Sequence, residues 1–284
     1  MIVDCHCHIF TDRILENVTD RLAMIAELKL NARDAAGRLD PKSLDESAEA
    51  NDVDLCVLLP TASPSKVRAE NDRFIQFSRK FPRLRTLATL HPVMRGLSDE
   101  IVRMFDLGIN GFKFSSFSQR FDLSSRDVEM MVTQVECLGR DRGIQPVLVF
   151  DTFARADIHF GARSEHITTA LHLAGLAHRH QGIHVVGAHM GGLVADFDQL
   201  RRALLPAPNL SLDTSNAAHT LEEGQFVELL RIHGSSHILF GTDWPWFGHA
   251  TERPKIAALL VTAGYTQSEQ AAVFGGNAQR LLGL

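Results

Sequence analysis

The stretch Ile2-Val3-Asp4-Cys5-His6-Cys7-His8 decides how the rest of the chain is read. It is a short apolar run that ends in two histidines two positions apart, and in a strand such positions share a face. Both imidazoles can then aim to one side and grip one ion, with Cys5 and Cys7 turned toward covering helices. Seven further runs of the same kind follow, at 53–60, 84–90, 109–115, 144–151, 183–189, 210–214 and 238–243. Helix-patterned stretches separate them, at 66–80, 98–107, 124–142, 165–179, 196–204, 222–233 and 254–263, and a last one at 268–282 closes the chain. Near-continuous apolar runs alternating with amphipathic stretches indicate parallel strands covered on both faces.

Eight such units predict an α/β fold, a closed (β/α)₈ TIM barrel with an extra C-terminal helix. An open doubly wound sheet would carry a Gly-rich phosphate turn after its first strand, and Ile9-Phe10-Thr11-Asp12 stands there instead. Residues 10–50 are long and polar, with a helix-like stretch near 18–30, and read as a lid-like insertion after strand 1. The expected organisation is a single barrel domain over 1–284.

The 284 residues are 45% hydrophobic and 22% charged, with 29 Lys+Arg against 34 Asp+Glu and a net charge of -5, which fits a globular protein. No basic block is present to replace the counterions of nucleic acid or to hold an anionic membrane, so a small-molecule substrate is expected. The cysteines at 5, 7, 56 and 137 show no secreted-domain spacing, and no apolar run approaches about 18 residues. A reduced, cytoplasmic protein is the expectation.

Catalytic groups of such barrels lie at the C-terminal ends of strands. Those ends carry His6 and His8, His91, Lys113, Asp151, His189 and Asp243. Asp243, in Phe240-Gly241-Thr242-Asp243-Trp244-Pro245, is either a turn former or an anionic ligand that can also take a proton from water. His189, in Ala188-His189-Met190-Gly191-Gly192, is either bonded to a loop carbonyl or exposed as an acid/base. Lys113 lies inside an apolar run, so it snorkels, or it faces a substrate carboxylate or the metal site. His91 precedes Pro92 and reads as a strand-end residue of lesser consequence. The other histidines, at 159, 166, 172, 178, 180, 184, 219, 233, 237 and 249, read as solvated or locally bonded.

Together, Asp4-x-His6-x-His8, Asn71-Asp72 through His91-Pro92, His189-Met190-Gly191-Gly192, Gly241-Thr242-Asp243-Trp244-Pro245 and the ending Gly276-Asn277-Ala278 through Arg280-Leu281-Leu282 resemble the amidohydrolase-related family. The resemblance is to the branch of the amidohydrolase superfamily that looks like aminocarboxymuconate-semialdehyde decarboxylase, and it runs from residue 2 to the C-terminus. It implies a distorted barrel holding one divalent metal, usually zinc and sometimes manganese, with His6, His8 and Asp243 matching the ligands and His189 the acid/base. It also implies a third histidine at the end of strand 5, where Pro146-Val147-Leu148-Val149 is followed here by Phe150 and Asp151. Phe150 cannot ligate; Asp151 fills the vacancy if the strand bulges, which would favour manganese, and otherwise the metal has three matched groups, or His189 ligates, or none is bound. Dimers are common among relatives, so the resemblance admits a homodimer, while the sequence leaves the oligomeric state open.

Three functions follow. The first is a metal-dependent hydrolase in which Asp243 or His189 deprotonates water for attack on an amide, ester or lactone carbonyl, with Lys113 and insertion arginines such as Arg33 or Arg38 holding a substrate carboxylate. The second is a metal-dependent non-oxidative decarboxylase of an aromatic or enoic acid, with His189 and Asp243 delivering the proton. The third is a degenerate barrel that binds a small molecule without chemistry. Trp244, with Trp246, Phe117 and Phe153, would line the substrate.

Overall fold

Each apolar run becomes a short parallel strand whose residues are almost all buried, as expected where helices cover both faces of a sheet. The computed structural model describes residues 1–284. Its strands are β1 (Val3–Cys7), β2 (Leu55–Leu58), β3 (Leu84–Thr86), β4 (Ala88–Thr89), β5 (Gly111–Phe114), β6 (Val147–Phe150), β7 (His184–Gly187), β8 (Leu210–Asp213) and β9 (Ile238–Leu239). The chain forms two compact units, Met1–Leu58 with Gln76–Arg85 and Leu212–Leu284, and Leu59–Ile75 with Thr86–Ser211.

In the first unit β1 pairs β2 in parallel, Val3 opposite Leu55 and Asp4 opposite Cys56, with the register shifting before Cys7 meets Leu58. The Cys56 N–H donates to the Arg83 carbonyl at 2.8 Å, which adds β3. On the other side of β1, the Cys5 N–H donates to the Phe240 carbonyl at 2.8 Å just past β9, and Asp213 at the end of β8 stands opposite Leu239. In the second unit β4 to β7 pair in chain order and in parallel, and the Val185 N–H donates to the Asn209 carbonyl at 2.8 Å at the start of β8. Within each of the two sheets, β1 to β3 and β4 to β9, every strand neighbours the one before it in sequence, as the connectivity of a (β/α)₈ barrel requires.

Three details differ from the sequence reading. The third run divides into β3 and β4, with Leu87 between them, where the chain passes from one unit to the other. The insertion is four short helices, Asp12–Thr19, Leu22–Leu28, Ala32–Ala35 and Pro41–Ala50, where one was expected near 18–30. The left-handed Lys29 (φ 52°) ends the second, and Asp40 caps the fourth by accepting from the N–H groups of Lys42 and Ser43 ahead of a favourable first-turn proline. The helix expected to start at Pro254 starts at His249, and the closing stretch is interrupted by a π turn at Ala272–Gly276. There any Cβ on Gly275 would collide with the Met1 carbonyl, so the wide turn and the glycine together let the start of the chain pass.

Candidate active site

The candidate residues fall into two groups of strand-end side chains, one in each unit. In the first unit β1 presents His6 and is followed directly by His8, and their Nε2 atoms are 3.0 Å apart. Asp243 Oδ1 lies 3.7 Å from His6 Nε2 and 3.5 Å from His8 Nε2. The Asp243 N–H donates to the His6 carbonyl at 3.0 Å and the His8 N–H to the Trp244 carbonyl at 2.8 Å, so backbone pairing sets this convergence. Asp243 takes a left-handed conformation (φ 65°), a cost of about 1–3 kcal/mol tolerated mainly where function requires it. Gly241 is required by close approach, since a Cβ there would stand 2.8 Å from His6 Cβ.

His6 is held from behind. Its Nδ1 is 2.8 Å from Asp213 Oδ2 and 3.0 Å from Ser215 Oγ, and the Ser215 hydroxyl in turn donates to Asp213 Oδ1. An Nδ1–H donated to a carboxylate leaves the Nε2 lone pair facing His8 and Asp243, the arrangement found behind metal-ligating histidines. The donor set fits a divalent ion: ligand atoms about 2.1 Å from zinc stand roughly 3.0–3.4 Å apart, depending on the angle. His8 also stacks on Phe10 with ring centroids 5.0 Å apart, and Phe10 tilts against Trp246 at 5.5 Å.

In the second unit Lys113 on β5 is fully buried, and Asp151 follows β6 with its N–H on the Phe114 carbonyl at 2.9 Å. Asp151 Oδ2 is 4.0 Å from His189 Nε2, and its Oδ1 accepts from the Phe153 N–H at 3.1 Å. Burial opposes ionisation of Asp151, but the neighbouring His189 imidazole and the charge of Lys113 outweigh it and hold the carboxyl well below the usual carboxylate range. His189 and Met190 are both left-handed (φ 55° and 53°), a strained turn that fixes the imidazole at the end of β7. Phe150, at the position of the expected strand-5 histidine, is buried and stacks on Phe114 at 5.1 Å. Phe117 and Phe153 pack edge to face at 6.0 Å.

Other candidates serve the framework. His91 Nε2 donates to the Gln119 carbonyl at 2.9 Å, and burial lowers its pKa. Trp244 is buried; its Nε1–H donates to the Arg38 carbonyl at 3.2 Å, its ring stacks on His249, and the Arg38 guanidinium lies over it at 5.1 Å. Arg33 is exposed on the insertion.

Sequence reasoning missed Asp213, which ends β8, and Ser215 and Asn216 just beyond it. The strand-end rule that selected the other candidates reaches this end too, since Leu-Ser-Leu-Asp closes an apolar run with an acid. Asn216 is left-handed (φ 54°) and 1% exposed, and neither its Oδ1 nor its Nδ2 meets a hydrogen-bonding group of the protein.

Solved structures of the same fold include 5-carboxyvanillate decarboxylase from Novosphingobium aromaticivorans with bound manganese, at 15% identity and a TM-score of 0.72, covering 100% of this chain and 97% of that one. They include 2,6-dihydroxybenzoate decarboxylase from Rhizobium, at 17% identity and 0.69, over 99% of this chain and 98% of that one. A third is a probable 2-pyrone-4,6-dicarboxylic acid hydrolase from Acinetobacter baumannii, at 13% identity and 0.68, over 100% and 99%. No curated protein matches the sequence significantly. No helix is long and apolar enough to cross a membrane. The family model described as Amidohydrolase matches residues 3–284, from the His6 and His8 strand through Asp243 to the last helix, and the chain belongs to that family of metal-dependent enzymes.

Proposed function

We propose that this protein is a metal-dependent, non-oxidative decarboxylase of a small aromatic or enoic acid that carries an oxygen beside its carboxylate. The observation that carries the reading is the convergence of His6, His8 and Asp243 on one point while Phe150 is turned into the core. These three side chains would hold a manganese or zinc ion, which would supply Lewis-acid stabilisation to the substrate's carboxylate and its neighbouring oxygen. The likeness to two decarboxylases whose substrates carry such paired oxygens supports this choice.

The remaining steps belong to the chain's own residues. His189 is the proton donor, and the ionised Asp151 beside it compensates the imidazolium charge. The carbon bearing the carboxylate takes that proton, the C–C bond breaks with its electron pair returning to the substrate, and carbon dioxide leaves. His189 is then reprotonated from solvent. Lys113, a buried cation, offsets negative charge on Asp151 and on the substrate. Asp243 adds a second carboxylate oxygen that can relay a proton to or from the substrate hydroxyl.

Hydrolysis of a carboxylated lactone, ester or amide is the second reading. It is favoured by the likeness to the pyrone hydrolase and by Asp243, a carboxylate able to take a proton from water. One assay separates the two: metal-loaded protein is incubated with carboxylated phenols, muconates and carboxylated lactones, and carbon dioxide is measured against acid products. Carbon dioxide equal to the substrate consumed, and lost in Asp243→Asn, is the expected result. An acid product that retains every carboxylate would overturn the decarboxylase reading in favour of hydrolysis.

A further inference from the structure

Behind the strand that carries His6 and His8 lies a second cluster that the reaction does not use. Asp4 and Cys7 of β1, Cys56 of β2 and His249 at the start of helix His249–Ala263 are all fully buried. One donor atom from each lies within 4.8 Å of all the others. His249 Nε2 is 3.1 Å from Asp4 Oδ2 and 3.7 Å from Cys56 Sγ. We propose that these four side chains form a structural zinc site, separate from the catalytic one, that ties the helix to the back of β1 and β2.

The donor set is the first argument. Buried cysteines alone are ordinary packing, since a thiol behaves as a small apolar group. Packing does not call for an imidazole nitrogen and a carboxylate at the same point, whereas two sulfurs, one nitrogen and one oxygen are a tetrahedral zinc set. Zinc–sulfur bonds of about 2.3 Å and zinc–nitrogen bonds of about 2.0 Å put tetrahedral N and S ligands roughly 3.5 Å apart and N and O ligands about 3.3 Å apart. The observed 3.7 and 3.1 Å lie close to those edges.

The surroundings are the second argument, because metal ligands need partners that orient them. His249 Nδ1 is 2.9 Å from Ser47 Oγ on helix Pro41–Ala50, so with its N–H donated there the ring turns the Nε2 lone pair inward. Asp4 Oδ1 accepts from the N–H groups of His6 and Thr242, each at 3.0 Å, and the Thr242 hydroxyl donates to Oδ2 at 2.5 Å, which fixes the carboxylate. The indole of Trp244 stacks on the His249 ring. A surface groove of about 640 Å³, lined by Met1, Asn51, Asp52 and Arg253, borders His249. All four donors come from the protein and are closed off from solvent, which marks a structural site rather than a catalytic one. On binding, the two thiol protons leave to solvent and both sulfurs ligate as thiolates.

The test is metal content and cobalt spectroscopy on the full chain, purified without chelator. We expect about two divalent ions per chain, one of them released as a thiol-specific mercurial titrates the wild-type protein. Cobalt substitution should give a near-ultraviolet thiolate-to-cobalt charge-transfer band that survives in His8→Ala and is lost in Cys7→Ser with Cys56→Ser. That double variant should bind one ion fewer than wild type. A cobalt-loaded wild type without the thiolate band overturns the proposal whether or not the serine variant folds. So does mercurial titration that releases no metal. Loss of catalytic-site metal in His8→Ala with the band intact separates this site from the decarboxylase reading.

Discussion

The strand ends of the two units solve the same electrostatic problem in opposite ways. In the second unit the chain supplies both signs of charge: Asp151 is ionised beside His189 and under the influence of the buried Lys113. In the first unit two imidazole nitrogens and a carboxylate oxygen crowd within 3.7 Å, and the groups that back them are another acid, Asp213, and a hydroxyl, Ser215. The first unit's arrangement is the one suited to a cation from outside; in the second the chain supplies its own. A centre for a metal and a centre for moving protons can thus be told apart by which one compensates its own charge.

Asp243→Asn should break the first centre most severely. Loss of the only carboxylate among the three converging ligands is expected to remove most of the bound catalytic metal and to lower turnover by about 10³-fold or more. Metal analysis beside carbon dioxide release checks both, and full activity with full metal content would end the comparison.

Asp151→Asn tests the other side. Turnover should fall by about 10²-fold because His189 loses the charge that favours its protonated form, while catalytic metal content stays at the wild-type level. If metal is lost instead, Asp151 is a ligand and the division between the units fails. The substitution should also cost about 3 kcal/mol, since Lys113 then lies buried beside a neutral amide. The sign of the pH dependence follows from the depressed pKa of Asp151. Its contribution is fully present above the unfolded value near 4 and is lost as pH falls toward the lower folded value, so the gap between wild type and variant should be constant at neutral pH and narrow in acid. Chemical denaturation across pH reads this directly.

Asp213→Asn is milder. An amide can still accept from His6 Nδ1, but without the carboxylate charge, and catalytic metal affinity should drop by about 10–100-fold with kcat at saturating metal little changed. An equal loss of kcat at saturating metal would show that Asp213 takes part in the proton chemistry itself.

How much of this could be read beforehand depended on how far apart in sequence the cause lay. The alternation of apolar runs and amphipathic stretches is local, so the barrel and its strand ends were visible, as were His6, His8 and Asp243 as a candidate set. Asp213 was passed over because its meaning comes from His6, 207 positions away. His249 was grouped with the solvated histidines because nothing next to it in sequence says that its ring meets Asp4, 245 positions away. The fourth helix of the insertion and the π turn of the closing stretch escape the periodicity because a capping side chain, Asp40, and the close pass of the Met1 carbonyl at Gly275 decide them. The stacking of Phe150 on Phe114 explains in packing terms why a phenylalanine can occupy a position where the resemblance implied a ligand.

The smallest expected effect falls on Asn216, and it sharpens the comparison most finely. Its amide is buried and unmatched within the protein, and its backbone sits in the left-handed region that favours glycine. Asn216→Gly removes a left-handed conformation costing about 1 kcal/mol and an amide without a partner costing about 1–3 kcal/mol, against about 1 kcal/mol of added backbone entropy in the unfolded chain. The variant should therefore be more stable by about 1–3 kcal/mol. A chain keeps such a group where something outside it completes the hydrogen bonds, so turnover should fall several-fold, chiefly through a higher KM for the acid substrate. Greater stability with an unchanged KM would restrict the unmet chemistry of the first unit to its metal ligands. Lower stability would mean that the amide already has a partner at the end of β8, and that this part of the first unit is as self-sufficient as the second.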